Sequence, residues 1–139
     1  MILAQLERDE GFVPHAYQDQ LGYWTVGIGT CIDKRVAGAE LSRDEARLLL
    51  DNRLKAFMAE FEAAQPWVRN LDDARYGVLQ NMVYNLGVAG LLGFKNTLAL
   101  IQARKWDEAA KAMLESKWAT QVGDRAKRLA RQMQTGEWQ

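Results

Sequence analysis

The chain has 139 residues, of which 48% are apolar and 26% are charged, and its formal net charge at neutral pH is zero. A chain of this length suits one domain, which buries roughly two-thirds of its extended surface on folding. Cys31 is the single cysteine and His15 the single histidine, so an internal disulfide and a multi-histidine metal site are excluded. The N-terminal residues contain no basic segment followed by an apolar run, and we expect neither a secretory signal nor a membrane-spanning helix.

Charge is unevenly distributed along the chain. Residues 1–103 carry ten basic and thirteen acidic side chains, whereas residues 104–139 carry eight basic and five acidic ones. This C-terminal basic surplus would suit an anionic polymer such as nucleic acid or bacterial cell wall, although a solvated helix face is the simpler explanation. Nucleic-acid-binding domains are usually more basic, and no nucleic-acid partner is expected.

The N-terminal third is predicted to contain one short helix and a small sheet. Residues 2–10 have a helical pattern, and residues from about 15 to 32 are rich in aromatic and β-branched side chains punctuated by glycine. The second pattern is typical of an antiparallel sheet. A short loop over residues 33–41 follows.

The next helix has a clear N-terminal signal. Ser42 and Glu45 have the spacing of a capping box, in which each side chain bonds the main chain of the other residue. Apolar residues then recur with helical period to about Ala63, and Gln65-Pro66 ends the helix.

The remainder of the chain is predicted to be helical. The segment from Asp72 to Leu86 is apolar nearly all round, which indicates a buried central helix with Gly87 as its C-terminal cap. Asp124 is predicted to cap the N-terminus of the last helix. The shorter helices are expected at about Lys95–Ala103, Trp106–Leu114, Ser116–Gln121 and Asp124–Gln134.

These elements predict a single α+β domain. A small antiparallel β-containing lobe takes in about residues 12–41, a connecting helix about 42–63, and a larger, mainly helical lobe about 64–139. Helix 2–10 is expected to pack onto the helical lobe, and an active-site cleft is expected between the two lobes.

Two carboxylates lie close together in the N-terminal segment. Glu10 ends the first predicted helix, Asp19 follows nine residues later, and the hydroxyl of Thr25 comes six residues after that. Glycosidic bond cleavage needs two carboxyl groups in unlike settings, one protonated and one ionised. Spacing alone favours a simpler explanation, a helix-terminal Glu beside a turn Asp, both merely solvated.

The residue types around the pair decide between these readings, because the segment resembles the phage-type lysozymes, the endolysins of T-even and related phages. The resembling motifs run in order along nearly the whole chain: Glu10-Gly11, Tyr17-x-Asp19, Gly22-Tyr23, Thr25-Val-Gly-Ile-Gly29, Asn81-Met-Val-Tyr-Asn-Leu-Gly87, Gly93-Phe94-x-Asn96-Thr97-Leu98, Trp106-Asp-Glu-Ala-Ala110, Ser116-x-Trp118, Asp124-Arg-Ala-Lys-Arg128 and Thr135-Gly-x-Trp138. The loop after the sheet is shorter here than in the best-known members.

The resemblance implies roles for individual residues. Glu10 would be the general acid, Asp19 would assist attack by water, Thr25 would hold that water, and Arg125 would pair with the acid. Glu10 would then be partly desolvated and Asp19 more exposed. The substrate-binding candidates at matched positions are Cys31, Tyr84, Asn85, Thr97, Ser116 and Lys117. Tyr84 and Asn85 could instead terminate the central helix, and Thr97 could cap the next one. Cys31 departs from the family, in which a larger apolar residue is frequent.

The implied function is that of an endolysin. Such an enzyme is an N-acetylmuramidase that hydrolyses the β-1,4 bond between N-acetylmuramic acid and N-acetylglucosamine in peptidoglycan, with inversion. It would be a bacteriolytic, antimicrobial hydrolase of bacteriophage origin and a monomer that needs no cofactor or metal. It would accumulate in the host cytoplasm and reach the wall in the periplasm through a lesion made by a holin-type membrane protein.

Three alternatives stay open at this point. A lytic transglycosylase would act on the same glycan with a single catalytic acid, although the presence of both Asp19 and Thr25 argues against it. A non-catalytic wall-binding module would share the fold but not the reaction. The chain would also suit a lysozyme-like domain of a larger tail or effector protein.

Overall fold

The computed structural model describes residues 2–33 and 41–139. Its internal contacts divide the chain into two compact units, an N-terminal unit (Met1–Leu49) and a C-terminal unit (Leu50–Gln139), and each is described by itself. The predicted loop 33–41 lies almost entirely outside the described residues. Helices together with a small antiparallel sheet confirm the α+β class.

The N-terminal unit begins with a helix and continues into a three-stranded sheet. Its elements are α1 (Ile2–Glu10), β1 (Val13–Gln18), β2 (Trp24–Gly27) and β3 (Thr30–Asp33), and the strands pair antiparallel in the order β1-β2-β3. Helix α1 ends at Glu10 because Gly11 follows with φ +75 and donates its N–H to the carbonyl of Glu7 at 2.9 Å. Pro14 is tolerated within β1 because β1 is an edge strand of the sheet.

Helix α2 (Arg43–Ala64) starts as the sequence predicts. The main-chain N–H and the hydroxyl of Ser42 donate to Glu45 Oε2 at 2.8 and 2.7 Å, and the N–H of Glu45 donates to Ser42 Oγ at 3.2 Å. These bonds lower the pKa of Glu45, since they favour its charged form. The capping box is therefore confirmed.

The C-terminal unit consists of helices around one apolar core. After α2 and a 3₁₀ turn (Pro66–Asn70) come α3 (Asp73–Leu92), α4 (Lys95–Gln102), α5 (Trp106–Leu114), α6 (Lys117–Val122) and α7 (Asp124–Thr135). Among the described residues, the large side chains with almost no solvent exposure all lie in this unit: Phe61, Val68, Val78, Leu79, Met82, Val83, Leu91, Ile101, Met113 and Met133. Burial of these side chains is the main source of its stability.

Helix α3 is the buried central helix that the apolar pattern predicts. Asp72 caps it, accepting from the N–H of Arg75 at 3.0 Å. Gly87 leaves the helical conformation with φ 73 and ψ 168, but the chain resumes a helical path beyond it to Leu92. Gly87 is thus a break inside a longer element rather than its end.

Helix α7 differs from prediction at its N-terminus. The capping position is occupied by Gly123, with φ 57, and Asp124 is already the first helical residue. Asp124 instead accepts from Lys127 Nζ at 2.9 Å within the first turn, which lowers its pKa. The prediction of Asp124 as the N-cap is therefore wrong, because a glycine with positive φ reverses the chain one residue earlier.

Helix α7 is tied to α3 by side chains that reach main-chain carbonyls. Arg75 Nε donates to the carbonyl of Met133 at 2.8 Å and Arg75 Nη2 to that of Gln134 at 2.9 Å. The guanidinium also lies 4.1 Å from the centre of the Trp106 ring. In return, buried Gln132 donates to the carbonyl of Ala74 at 2.7 Å.

Candidate active site

Glu10 lies at the end of α1, with its carboxylate against the turn between β2 and β3. The contact is with Gly29, where a side chain would begin 2.6 Å from Glu10 Oε2. Gly29 has φ +64, a left-handed conformation that favours glycine. The Glu10 carboxylate therefore occupies the space that the side chain of any other residue at position 29 would enter.

Asp19 lies in the turn that joins β1 to β2. Its Oδ1 accepts hydrogen bonds from the main-chain N–H groups of Leu21 at 2.8 Å and Tyr23 at 2.9 Å. This is the local pattern by which Asp side chains stabilise turns. Within residues 2–33 and 41–139 no group donates to Oδ2, so that oxygen can accept a proton from water.

Thr25 lies in β2, the central strand, and only 4% of its surface is exposed. Its hydroxyl donates to the carbonyl oxygen of Tyr23 at 3.2 Å. The main-chain N–H of Asp19 donates to the same oxygen at 2.9 Å. One main-chain carbonyl thus fixes both residues, and the lone pairs of the Thr25 hydroxyl stay available to accept from water.

Thr25 is flanked across the sheet by two side chains. Tyr17 on β1 and Cys31 on β3 are its pairing partners. Directly paired residues point to the same face of a sheet, so these three side chains form one row. Cys31, a predicted sugar contact, is half-buried and is a free thiol.

The expected order of exposure is reversed. The sequence predicts a partly desolvated Glu10 and a more exposed Asp19, yet Glu10 is exposed and Asp19 is half-buried. Asp19 is the more enclosed because its carboxylate folds back over its own turn to accept two main-chain bonds.

Gly29 belongs to the motif Thr25-Val-Gly-Ile-Gly29, but its contact with Glu10 was not predicted from the sequence. The carbonyl of Tyr23 was not singled out, because every residue carries a carbonyl and residue type does not distinguish this one. Within the described part of the chain, no three metal-ligating side chains come together.

Arg125, the predicted partner of Glu10, lies in the C-terminal unit at the first turn of α7. Its Nε donates to Asn81 Oδ1 at 2.8 Å and its Nη2 to the main-chain carbonyl of Asn81 at 3.3 Å. Asn81 on α3 therefore accepts hydrogen bonds from this guanidinium with both its side chain and its main chain. Its pairing with Glu10 stays a prediction.

The other predicted sugar contacts also lie in the C-terminal unit. Tyr84 and Asn85 are exposed on α3. The ring of Tyr84 lies edge-on to that of Phe57, with the ring centres 6.3 Å apart. Asn85 Oδ1 accepts from Trp118 Nε1 at 2.8 Å. Thr97 lies within α4, and only 5% of its surface is exposed.

Ser116 and Lys117 line a surface cavity of about 380 Å³ at the start of α6, together with Phe94 and Trp118. The hydroxyl of Ser116 caps α6, accepting from the N–H of Ala119 at 3.2 Å and donating to the carbonyl of Met113 at 2.6 Å. Ser116 therefore has a structural role whether or not it contacts sugar. Lys117 is exposed.

The family described as Phage lysozyme matches residues 7–135 of the chain. The chain belongs to the phage lysozyme family. The matched range includes Glu10, Asp19, Thr25 and Arg125, and it confirms the resemblance on which their predicted roles depend. Membership of this family supports lysozyme-like hydrolysis of glycan, for which peptidoglycan is a fitting substrate.

Curated relatives of this phage lysozyme family member come from different sources. "Probable T4-type lysozyme 1" and "Probable T4-type lysozyme 2" of Dictyostelium discoideum are 32% and 30% identical to it, and each alignment covers 94% of this chain and 92% of the relative. "Pre-baseplate central spike protein Gp5" of Enterobacteria phage T4 is 26% identical over 94% of this chain, which corresponds to 27% of that protein. The family therefore occurs both as a whole protein and as part of a longer one. Within the described residues, none of the helices combines the length and apolarity needed to cross a membrane.

Proposed function

We propose that the protein is an N-acetylmuramidase that cleaves the β-1,4 bond between N-acetylmuramic acid and N-acetylglucosamine in peptidoglycan, with inversion. The observation that carries this proposal is the shared carbonyl of Tyr23, which holds both Asp19 and Thr25. A water molecule that donates to Asp19 Oδ2 and to Thr25 Oγ1 directs a lone pair away from both, toward the anomeric carbon. Glu10 supplies the proton that the leaving oxygen requires.

Inversion follows from these roles. Asp19 acts on the water rather than on the sugar, so the reaction needs an acid and a base on opposite faces of the ring and no covalent intermediate. Two acceptors directed at a water molecule would serve no purpose in a lytic transglycosylase, whose product forms without water. Hydrolysis is therefore the reaction that this arrangement favours.

Product analysis on purified peptidoglycan tests the reaction. We expect reducing N-acetylmuramic acid ends that carry the mass of one added water, formed initially as the α-anomer in proton NMR. Anhydro-muramic products would identify a transglycosylase instead, and an initial β-anomer would contradict inversion.

Substitution of the acid tests the site. Glu10→Gln should abolish the release of reducing ends and leave thermal unfolding unchanged, because the amide keeps the shape of the carboxyl but cannot donate its proton. Glu7→Gln is the matched control, since Glu7 is another exposed glutamate of α1. Full activity of Glu10→Gln would refute the assignment of Glu10.

We further propose, from the resemblance to endolysins, a monomer that is released to the wall by a holin-type membrane protein and lyses the host. Expression in a bacterial host with and without a holin tests this role. Lysis only with the holin is expected, and lysis independent of it would contradict the proposed route.

A further inference from the structure

We infer that Gly29 is a positioning residue for the catalytic acid, because the absence of a side chain at this position lets the Glu10 carboxylate occupy its place against the β2–β3 turn. The inference rests on the proposed function, in which Glu10 is the acid. It assigns a role in catalysis to a residue that has no side chain with which to take part in the reaction.

The contacts at Gly29 all concern Glu10. A Cβ atom at this position would lie 2.6 Å from Glu10 Oε2, 3.1 Å from its Cδ and 3.3 Å from its Cγ, and these are its three nearest neighbours. Real Cβ atoms do not approach an oxygen as closely as 2.6 Å, so one group must move. The group that yields is the carboxylate, since it stands at the end of a flexible side chain whereas Gly29 is held between two paired strands.

The last residue of β2, Gly27, provides a matched control. Gly27 has φ +68, nearly the φ +64 of Gly29, but a Cβ atom there would meet nothing within 4 Å. Alanine at either position imposes backbone strain, because both residues have a left-handed φ. Only alanine at position 29 also displaces the Glu10 carboxylate. The difference between the two variants therefore isolates the placement of the acid.

The experiment compares Gly29→Ala with Gly27→Ala on a soluble, uncross-linked peptidoglycan fragment. Displacement of a reacting group by about 1 Å costs on the order of 10²-fold in rate, so kcat of Gly29→Ala should fall by that factor relative to Gly27→Ala. KM should be the same in the two variants, because the carboxyl group does not bind the sugar. If Gly29 had a purely structural role, kcat as well as KM would be the same in the two variants.

Equal kcat values in the two alanine variants would overturn the inference. If Gly29→Ala does not fold while Gly27→Ala does, the double variant Glu10→Ala/Gly29→Ala decides. Recovery of the fold supports the contact with Glu10, and a double variant that stays unfolded overturns it. A fully active Glu10→Gln would refute the assignment of Glu10 as the acid, on which this inference rests. An inactive Glu10→Gln together with indistinguishable alanine variants refutes only the role of Gly29.

Discussion

The main-chain N–H of Asp19 and the hydroxyl of Thr25 donate to the same oxygen, the carbonyl of Tyr23, at 2.9 and 3.2 Å. The two side chains that are proposed to hold the attacking water are therefore fixed relative to each other by one peptide group. Asp19 and Thr25 each have a structural role and a proposed chemical role. Suitable substitutions distinguish these two roles.

Asp19→Asn should remove activity and keep the fold. The amide oxygen can still accept from the N–H groups of Leu21 and Tyr23, but the negative charge beside the water is lost. Asp19→Ala removes these bonds as well and should lower the free energy of unfolding by about 1–2 kcal/mol. Urea unfolding and the release of reducing ends measure the two effects. An Asp19→Asn variant as unstable as Asp19→Ala would show that the charge itself stabilises the turn.

Thr25→Val should lower kcat with a change in unfolding free energy of less than about 1 kcal/mol. Valine retains the shape of this buried side chain but cannot hold water. The carbonyl of Tyr23 keeps its bond from the N–H of Asp19, so no buried acceptor is left unpaired. Thr25→Ser retains the hydroxyl and should keep most of the activity. Equal activity of the valine and serine variants would exclude a role for the hydroxyl.

Arg75→Lys should lower the free energy of unfolding by about 2–3 kcal/mol, because an ammonium cannot reproduce the planar fork of the guanidinium. Arg75 donates to the carbonyls of Met133 and Gln134, forms an ion pair with Asp72 at 2.8 Å and stacks on Trp106. Arg131→Lys on the exposed face of α7 is the control and should change stability by less than about 0.5 kcal/mol. Similar losses in both variants would mean that the ring contact and the carbonyl bonds contribute little.

The hydroxyl of Tyr76 donates to Glu62 Oε1 between α3 and α2, and Arg69 Nε donates to Glu62 Oε2 at 2.6 Å. The bond from Tyr76 and then that from Arg69 lower the pKa of Glu62 below its ordinary 4.5. Burial, followed by the bond to Glu62, raises the pKa of Tyr76 from 10.0 to about 12. The stabilisation from Glu62 is thus present above pH 4.5 and lost as the pH falls further, and that from Tyr76 is present below pH 10.0 and lost as the pH rises toward 12.

Tyr76→Phe should therefore lower the free energy of unfolding by roughly 1–2 kcal/mol at neutral pH, with a smaller difference from the parent at both pH extremes. Denaturant unfolding across the pH range measures this difference. Tyr84→Phe is the control, because no group in the described part of the chain bonds the Tyr84 hydroxyl. A difference independent of pH would show that the hydroxyl acts through packing alone.

Local signals in the sequence predicted most of the helices. The capping box of Ser42 and Glu45 and the bounds of α5 (Trp106–Leu114) follow from neighbouring residues only, and the structure has both as predicted. The prediction failed where glycine conformation decided the path of the chain. Gly87 interrupts α3 instead of ending it, and Gly123 displaces the cap of α7 from Asp124. A sequence shows that a glycine is present but not which of its permitted conformations it adopts.

The identities of the candidate catalytic residues came from the resemblance, but their arrangement could not. The shared acceptor at Tyr23 is a main-chain atom, and the contact of Glu10 with Gly29 depends on where a helix end meets a turn. Both are properties of the folded chain rather than of residue type. Binding roles for Ser116 and Asn85 were predicted from the same matched positions, and the structure shows what else these side chains do.

The bonds between α3 and α7 have a consequence for the order in which the C-terminal unit matures during synthesis. Arg75 and Gln132 donate to main-chain carbonyls that lie 58 or 59 residues away along the chain. A ribosome translating this chain has not yet made those partners when α3 emerges. The contacts between α3 and α7 therefore form only after α7 has followed α3 out of the ribosome.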